Sequence, residues 1–447
     1  VGAPENATLY VSDRLKGLLR HFDGHDGARF LALFWLLVIC TYLGLILVRD
    51  VEAGDRLFLR DYYCFYRAGQ LALEGGTGYE DPDRTFANPP FTLPMVEALA
   101  FAGPDGSYWV CLVLGAVLTV LGMLALARIP GLDPKYRLTM SLTGLACPSL
   151  VFALHLGQFT PLYLLLSCLV VYGWAAERDV LAGVAAGLLW SKPPLAVALV
   201  AMGTLTRPRA FTLAWTATLA LLLALSVPFG LESWEGFRTG LDTLVSRHEL
   251  NPDSWRKQET LYAFLRTVIW KAAGSPADAP AEGRELARGL VIVLSAIFGA
   301  WGLALRIQAR RDWHVPTHRV ERMVRLGSIA MLATIALNLY LFYYDSALVI
   351  LPTLFLFTHE LSWRSRARWW LALVLAMAIW IAQMLPMLWN DGPNPIGPLA
   401  LVWLALELVE LGAIPATPTP PRARSDESES APADETERAV GAGEATA

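Results

Sequence analysis

The chain has 447 residues, 55% of them hydrophobic and 17% charged, against about 25% charged in an ordinary soluble domain. The charge is clumped between long apolar stretches, which excludes a soluble globular protein, a disordered chain and a disulfide-rich secreted domain. The net charge of -4 equals the excess of seven acids over three arginines in residues 415–447 alone, so no basic surplus points to nucleic acid.

In chain order, the first apolar run is 30–48, preceded by Arg14, Lys16, Arg20 and Arg29. It is too long and too far from the start for a signal-peptide core, and the positive-inside rule starts it in the cytoplasm. Val1 in place of Met fits a literally translated GTG start codon and, with it, a bacterial source. A polar stretch, 49–89, leads to an apolar piece, 91–101, too short to span and read as re-entrant or interfacial. Spans follow at 108–127, 138–154 and 159–175, then two short halves at 180–190 and 195–205 broken by Ser191-Lys192-Pro193-Pro194. The next span is 211–229, and 230–285 is a long amphipathic stretch. The last spans are 286–305, 326–342, 348–358, 369–388 and 398–411.

Counting the halves separately gives twelve crossings. The basic clusters 128–137, Arg207 with Arg209, the six arginines of 306–325, and Arg364, Arg366 and Arg368 then all fall inside. A single span over 180–205 would turn the six-arginine loop outward, so two short helices are expected there. The fold class expected is an all-α polytopic membrane protein of about twelve transmembrane helices. Residues 1–29 form a cytoplasmic segment, 30–411 a transmembrane domain with outer loops 49–107 and 230–285, and 412–447 a disordered cytoplasmic tail. Asp61, His155 to Gln158, Lys192, Tyr343 to Asp345, Asn390 and Asp391 gather on the extracytoplasmic side.

Several constellations there can carry chemistry. Asp61 leads Asp61-Tyr62-Tyr63-Cys64-Phe65-Tyr66-Arg67; a carboxylate ringed by aromatics is partly desolvated and can take a proton from a hydroxyl, while the bland reading is a surface acid paired with arginine. Tyr79 precedes Asn88-Pro89-Pro90-Phe91, a stop-and-turn device. Gly157-Gln158 is a turn whose amide either contacts a sugar or phosphate oxygen or caps loose backbone groups. Lys192, at the junction of two apolar halves, is costly without a partner or a function; it holds a phosphate or snorkels to the headgroups. Arg247-His248 and Gln258 to Arg266 lie on an interfacial stretch flanked by Trp255 and Trp270. Asp345, after Tyr343-Tyr344, is an N-cap, a sugar ligand or a partner of Lys192. Four of the five cysteines sit in apolar runs, and none has metal spacing. No P-loop, zinc helix motif, GxSxG or dinucleotide fingerprint occurs.

The ordered set resembles a known group. Asp61-Tyr62 through Tyr66-Arg67-Ala68-Gly69, Tyr79, Pro89-Pro90-Phe91, Gly157-Gln158, Ala182-Gly183 leading to Lys192-Pro193, Gln258 through Arg266, and Tyr344-Asp345 are similar to the family-87 glycosyltransferases of the polytopic C-type superfamily. The chain departs from them at Lys257-Gln258-Glu259, where Asn-Gln-Ser is usual, and at Asn88, where Tyr is usual. The resemblance implies a C-type architecture with amphipathic outer-loop helices in a bacterial plasma membrane. It implies transfer of a sugar, mannose foremost, from a polyprenyl phosphate carrier to a glycolipid or polysaccharide acceptor on the extracytoplasmic face. In that scheme Asp61 is the base, and a single displacement inverts the anomeric centre. Lys192, with His248 and Arg266, holds the donor phosphate; Tyr62, Arg67, Gln158, Gln258, Tyr344 and Asp345 contact sugar or acceptor; no metal or cofactor is needed. The rival expectations are a transporter or flippase for a lipid-linked or small polar substrate, since broken helices serve transporters too, and a membrane scaffold with an acidic docking arm.

Overall fold

The computed structural model describes residues 61–81, 86–130, 141–142, 144–207, 209–274, 283–309, 316–356, 363, 365–384 and 393–413, with scattered helical positions between 33 and 44. Most of the first expected span, the outer Asn390 and Asp391, and the tail from 414 lie outside the described residues. The chain divides into two units, Val1–Ile414 and Pro415–Ala447, and all of the described helices belong to the first.

The described elements are helical, and the one extended pairing among them is an isolated antiparallel bridge between Gln258 and Phe342. Helix α1 is Asp61–Leu73, and a single 3-10 turn, Pro90–Thr92, leads into α2, Leu93–Ala100. Then come α3, Gly103–Leu126; α4, Pro148–His155; α5, Thr160–Ala175; α6, Asp179–Leu188; and α7, Pro193–Thr206. Proline stands in the first turn of α3, α4, α5 and α7, where its missing N–H costs nothing. Helices α8, Arg209–Leu225, and α9, Gly230–Leu250, are joined by one 3-10 turn; α10, Pro252–Arg256, and α11, Leu261–Ala272, follow. The rest are α12, Arg284–Ala309; α13, Pro316–Leu337; a 3-10 segment, Tyr343–Val349; α14, Ile350–Leu356; α15, Arg366–Ala382; and α16, Ile396–Gly412.

By length and composition Gly103–Leu126, the stretch Arg209–Leu250 and Arg284–Ala304 are each able to cross a membrane, and Thr160–Ala175, Asp179–Ser191, Pro193–Thr206 and Tyr344–Leu356 are shorter apolar helices. Two expected spans differ in outline. The span at 138–154 is interrupted at Cys147, which is extended ahead of Pro148, because a proline excludes the helical conformation from the residue before it. The span at 326–342 begins at Pro316 and stops at Leu337, leaving Phe342 to pair with Gln258.

The break at Lys192 makes a hairpin. Arg207, just after α7, binds Asp179, the first residue of α6, through Nε at 2.6 Å, so α7 returns to the end where α6 began. Small residues let the hairpin pack closely: a Cβ on Gly183 would meet the Phe211 carbonyl at 2.5 Å, and one on Gly187 the Thr218 Cβ at 2.5 Å, so α6 lies almost backbone to backbone on α8.

Ion pairs collect at the end where α6 starts. Arg319 at the start of α13 donates to the Ala175 carbonyl at 3.1 Å and pairs with Glu177. Arg325 reaches Glu407 at 2.8 Å and Glu321 at 3.4 Å, and Arg368 reaches Glu410 at 2.9 Å. The opposite end of the bundle carries Asp61, Gln158, Lys192 and Asp345. From Asp179 to Ser191 is 13 residues, about 20 Å at 1.5 Å per residue, less than a hydrocarbon core of about 30 Å.

Candidate active site

The site is built around the start of α5. The backbone N–H of Tyr62 donates to the Leu156 carbonyl at 3.1 Å, which ties the first turn of α1 to the turn before α5. Gly157 in that turn has φ +65°, and a Cβ there would sit 2.8 Å from the Tyr62 Cβ; both conformation and space call for glycine. The turn delivers Gln158, whose Nε2 donates to Asp61 Oδ2 at 2.9 Å. The Tyr62 ring itself is buried against Tyr66 and Tyr108, so it supports the wall of the site.

Two residues beyond Gln158, Thr160 Oγ1 donates to Asp345 Oδ1 at 3.3 Å. The same carboxylate oxygen lies 2.5 Å from Lys192 Nζ at the hairpin apex. The ammonium is also 5.0 Å from the Tyr344 ring centroid and 5.6 Å from that of Tyr163, within cation–π range. The Asp345 side chain is 1% exposed and that of Lys192 21%. Of the three readings open for Asp345, contact with Lys192 is present in the structure. A charge pair so placed is favourable only with further hydrogen bonds and good geometry, which Thr160 and the two rings help to provide. One helical turn thus touches a carboxylate on one side and an ion pair on the other.

Phe342 carries the remaining wall. It stacks on Tyr344 with centroids 5.7 Å apart and 19° between planes, and the His248 ring meets its edge at 4.9 Å. The bridge to Phe342 holds Gln258, which is buried. Gln158, Lys192, His248, Gln258, Tyr344 and Asp345 therefore join Asp61 through a chain of contacts.

Two expected residues are held elsewhere. Arg67 donates to Gln70 at 3.0 Å and lies 3.5 Å from Asp81. Arg266 is 1% exposed; its guanidinium lies 4.0 Å from the Trp255 ring centroid and donates to the Glu249 carbonyl at 2.8 Å and to Tyr262 at 3.3 Å. Its neighbour Glu249 accepts from Arg288 at 2.8 Å, from Arg284 at 3.1 Å and from Tyr340. That cluster ties α9, α11, α12 and the segment before Phe342 together, behind His248. Nothing in the apolar periodicity singles out Glu249; its only sequence trace is an acid at the end of an amphipathic helix facing Arg284 and Arg288 across 35 or more residues.

Glu259 stands out in the sequence only as a departure from the usual Asn-Gln-Ser, with no role attached to it. It is fully buried, and burial pushes its carboxyl well above the usual range. Thr160 goes unmarked for the opposite reason: a threonine at a helix start is too common to stand out. No group of three or more His, Cys, Asp or Glu side chains placed for a metal ion occurs among the described residues.

The profile of glycosyltransferase family 87 matches residues 86–333, more than half of the chain. The matched segment holds Gln158, Lys192, His248, Gln258, Glu259 and Arg266, and ends short of Asp61 on one side and Asp345 on the other. No curated protein matches the chain.

Proposed function

The chain belongs to glycosyltransferase family 87, and on that premise we propose that it moves a hexose or pentose, mannose foremost, from a polyprenyl phosphate carrier to a glycolipid or polysaccharide acceptor. The observation that carries this reading is the single turn at Gln158 to Thr160, which reaches Asp61 on one side and, through Asp345, Lys192 on the other. An acceptor hydroxyl needs a base where it attacks; a departing lipid phosphate needs positive charge where electrons accumulate. Asp61 takes the hydroxyl proton as the new C1–O bond forms, while the C1–phosphate bond breaks and the electron pair leaves with the phosphate. Lys192 faces that phosphate, with His248 beside it. Attack and departure on opposite faces invert the anomeric centre through an oxocarbenium-like transition state.

Gln158 orients Asp61, Gln258 and Tyr344 line the sugar subsite with Asp345 at its back, and Tyr62 backs the acceptor side. Arg67 and Arg266 act from the periphery, Arg266 by bracing the loop of His248. A phosphate is already a good leaving group and the cations are on the protein, so no metal is assigned. In this reading the domain 30–411 crosses a bacterial plasma membrane twelve times, amphipathic α9 and α11 guide the lipid chain, and the site opens on the extracytoplasmic face. The support for that orientation is the arginine-rich end of the bundle, which belongs inside.

The test uses the purified full chain with radiolabelled polyprenyl-phosphate sugars and a glycolipid acceptor. Transfer with release of polyprenyl phosphate is expected, and Asp61→Asn reduces it to a small residual rate while expression and donor binding stay near wild type. Movement of the lipid-linked sugar across a vesicle with no phosphate released would replace the enzyme reading with that of a flippase. Wild-type turnover in Asp61→Asn removes Asp61 from the role of base.

A further inference from the structure

Residues 338–342, between α13 and the 3-10 segment, run from the element of one proposed phosphate ligand to the element of the other. At one end Asn338 Nδ2 donates to the Pro194 carbonyl at 3.2 Å, two residues beyond Lys192 in the first turn of α7. Asn338 Oδ1 accepts the Tyr340 N–H at 3.1 Å, so the amide that grips the hairpin also shapes the backbone of the segment. At the other end the Leu341 carbonyl accepts the Glu259 N–H at 2.9 Å, and Phe342 is bridged to Gln258.

Tyr340 joins this segment to His248. Its hydroxyl donates to Glu249 Oε1, and Glu249 follows His248 in the last turn of α9. Arg288 and Arg284 donate to the same carboxylate at 2.8 and 3.1 Å, so the phenol meets a charged acceptor and makes a hydrogen bond of the stronger kind. The Tyr340 ring stands edge-on to Tyr262, with centroids 6.0 Å apart and 73° between planes. His248 is held by its carbonyl, which accepts from Trp255 Nε1 at 2.8 Å, and by its ring, 4.9 Å from that of Phe342. Glu249 therefore borders His248 along the chain and, through Tyr340, grips the segment whose Phe342 meets the imidazole. Pro194, Asn338, Tyr340 and Glu249 form one continuous path from the hairpin of Lys192 to the neighbour of His248.

We propose that Tyr340 is a positioning residue for donor binding: through Glu249 on one side and Asn338 on the other it sets the separation between His248 and Lys192, so that both meet the oxygens of one phosphate. The phenol touches no substrate, and no bond or proton changes hands at it. A phosphate held by groups on two different elements gains from the second only when their separation is fixed beforehand, since otherwise ordering the loop is a cost of binding. The effect on the donor rests on the proposed function's reading of Lys192 and His248 as phosphate ligands; the hold of Tyr340 on His248 does not.

Tyr340→Phe removes one hydroxyl and keeps the ring and the N–H. In the transfer assay with the purified full chain it should raise the donor KM about tenfold, the scale of one lost hydrogen bond to a charged group, with kcat within about threefold of wild type. In a His248→Gln background the same substitution should raise KM no further. Asn338→Ala breaks the path at its other end, so the double variant with Tyr340→Phe should bind donor no worse than Tyr340→Phe alone. A loss of kcat at unchanged KM, or an equal rise in KM with and without His248, would overturn the positioning role. A readout independent of turnover is the nuclear magnetic resonance spectrum of the full chain carrying isotope-labelled histidine. The His248 signal, identified by its loss in His248→Gln, is displaced by the ring current of Phe342, and Phe342→Leu gives its undisplaced position. In Tyr340→Phe the signal should move toward that position; a signal fixed at its wild-type value would refute the proposal. If the wild type transfers nothing from a polyprenyl phosphate sugar, the proposed function falls, while the histidine spectra still judge whether Tyr340 holds His248.

Discussion

Replacing Gln158 by alanine isolates the contact on which the assignment of Asp61 depends. The amide Nε2 stands 2.9 Å from Asp61 Oδ2, and a hydrogen bond from a neutral donor to a charged acceptor is worth about 1.5–3 kcal/mol. The Asp61 side of the contact is only half-buried, so water replaces part of the loss and the lower figure applies. At about 1.4 kcal/mol per factor of ten, Gln158→Ala should reduce kcat roughly tenfold. The backbone of the turn is held by Gly157 and by the Gln158 N–H donating to the Ala153 carbonyl at 2.8 Å, so the donor KM should change by less than about threefold. Single-turnover transfer from a radiolabelled polyprenyl-phosphate sugar measures both quantities. A double-mutant cycle sharpens the result: in an Asp61→Asn background, Gln158→Ala should cost nothing further in residual rate. A Gln158→Ala enzyme with full kcat, or an equal added loss in the Asp61→Asn background, refutes the idea that Gln158 works by holding Asp61.

Lys192→Met should weaken donor binding and lower the melting temperature, since it strands a buried carboxylate at a cost of about 3 kcal/mol; adding Asp345→Leu should restore melting but not donor affinity, and full donor affinity in Lys192→Met would leave the lysine without a substrate role. Gly187→Leu should destabilise the chain by about 1–3 kcal/mol through overpacking on Thr218 and Trp215. Gly299→Leu, where nothing lies within 4 Å of an added Cβ, should leave thermal unfolding unchanged, and equal shifts for the two leucine variants would argue against close packing of α6 on α8.

Much of this architecture is legible before any coordinates. Ser191-Lys192-Pro193-Pro194 marks the hairpin, because two consecutive prolines start a helix and a lysine cannot be left in hydrocarbon without a reason. The arginine clusters fix which helix ends belong together, and the ion pairs of Arg207, Arg319, Arg325 and Arg368 lie at one end of the bundle accordingly. What one-dimensional reading misses is pairing across long separations. Asp345 stays open between a cap, a sugar ligand and a partner of Lys192, because 153 residues separate the two. Glu249 and Glu259 look like ordinary loop acids, since nothing local distinguishes a carboxylate that tertiary packing will enclose. Charge and proximity in sequence likewise do not reveal that Arg67 lies beside Gln70 and Asp81 and Arg266 over Trp255.

The segregation of charge bears on how such a molecule lives in a bilayer. Each arginine carried to the centre of a membrane costs about 2.5–3.5 kcal/mol even on the gentlest scale, and the bundle fastens several of them to acids on neighbouring helices at one pole. Turning over would mean dragging that whole pole through the oil at once, because Arg325 is joined to both Glu321 and Glu407 and cannot travel alone. Sidedness is therefore settled during insertion and is not renegotiated afterwards.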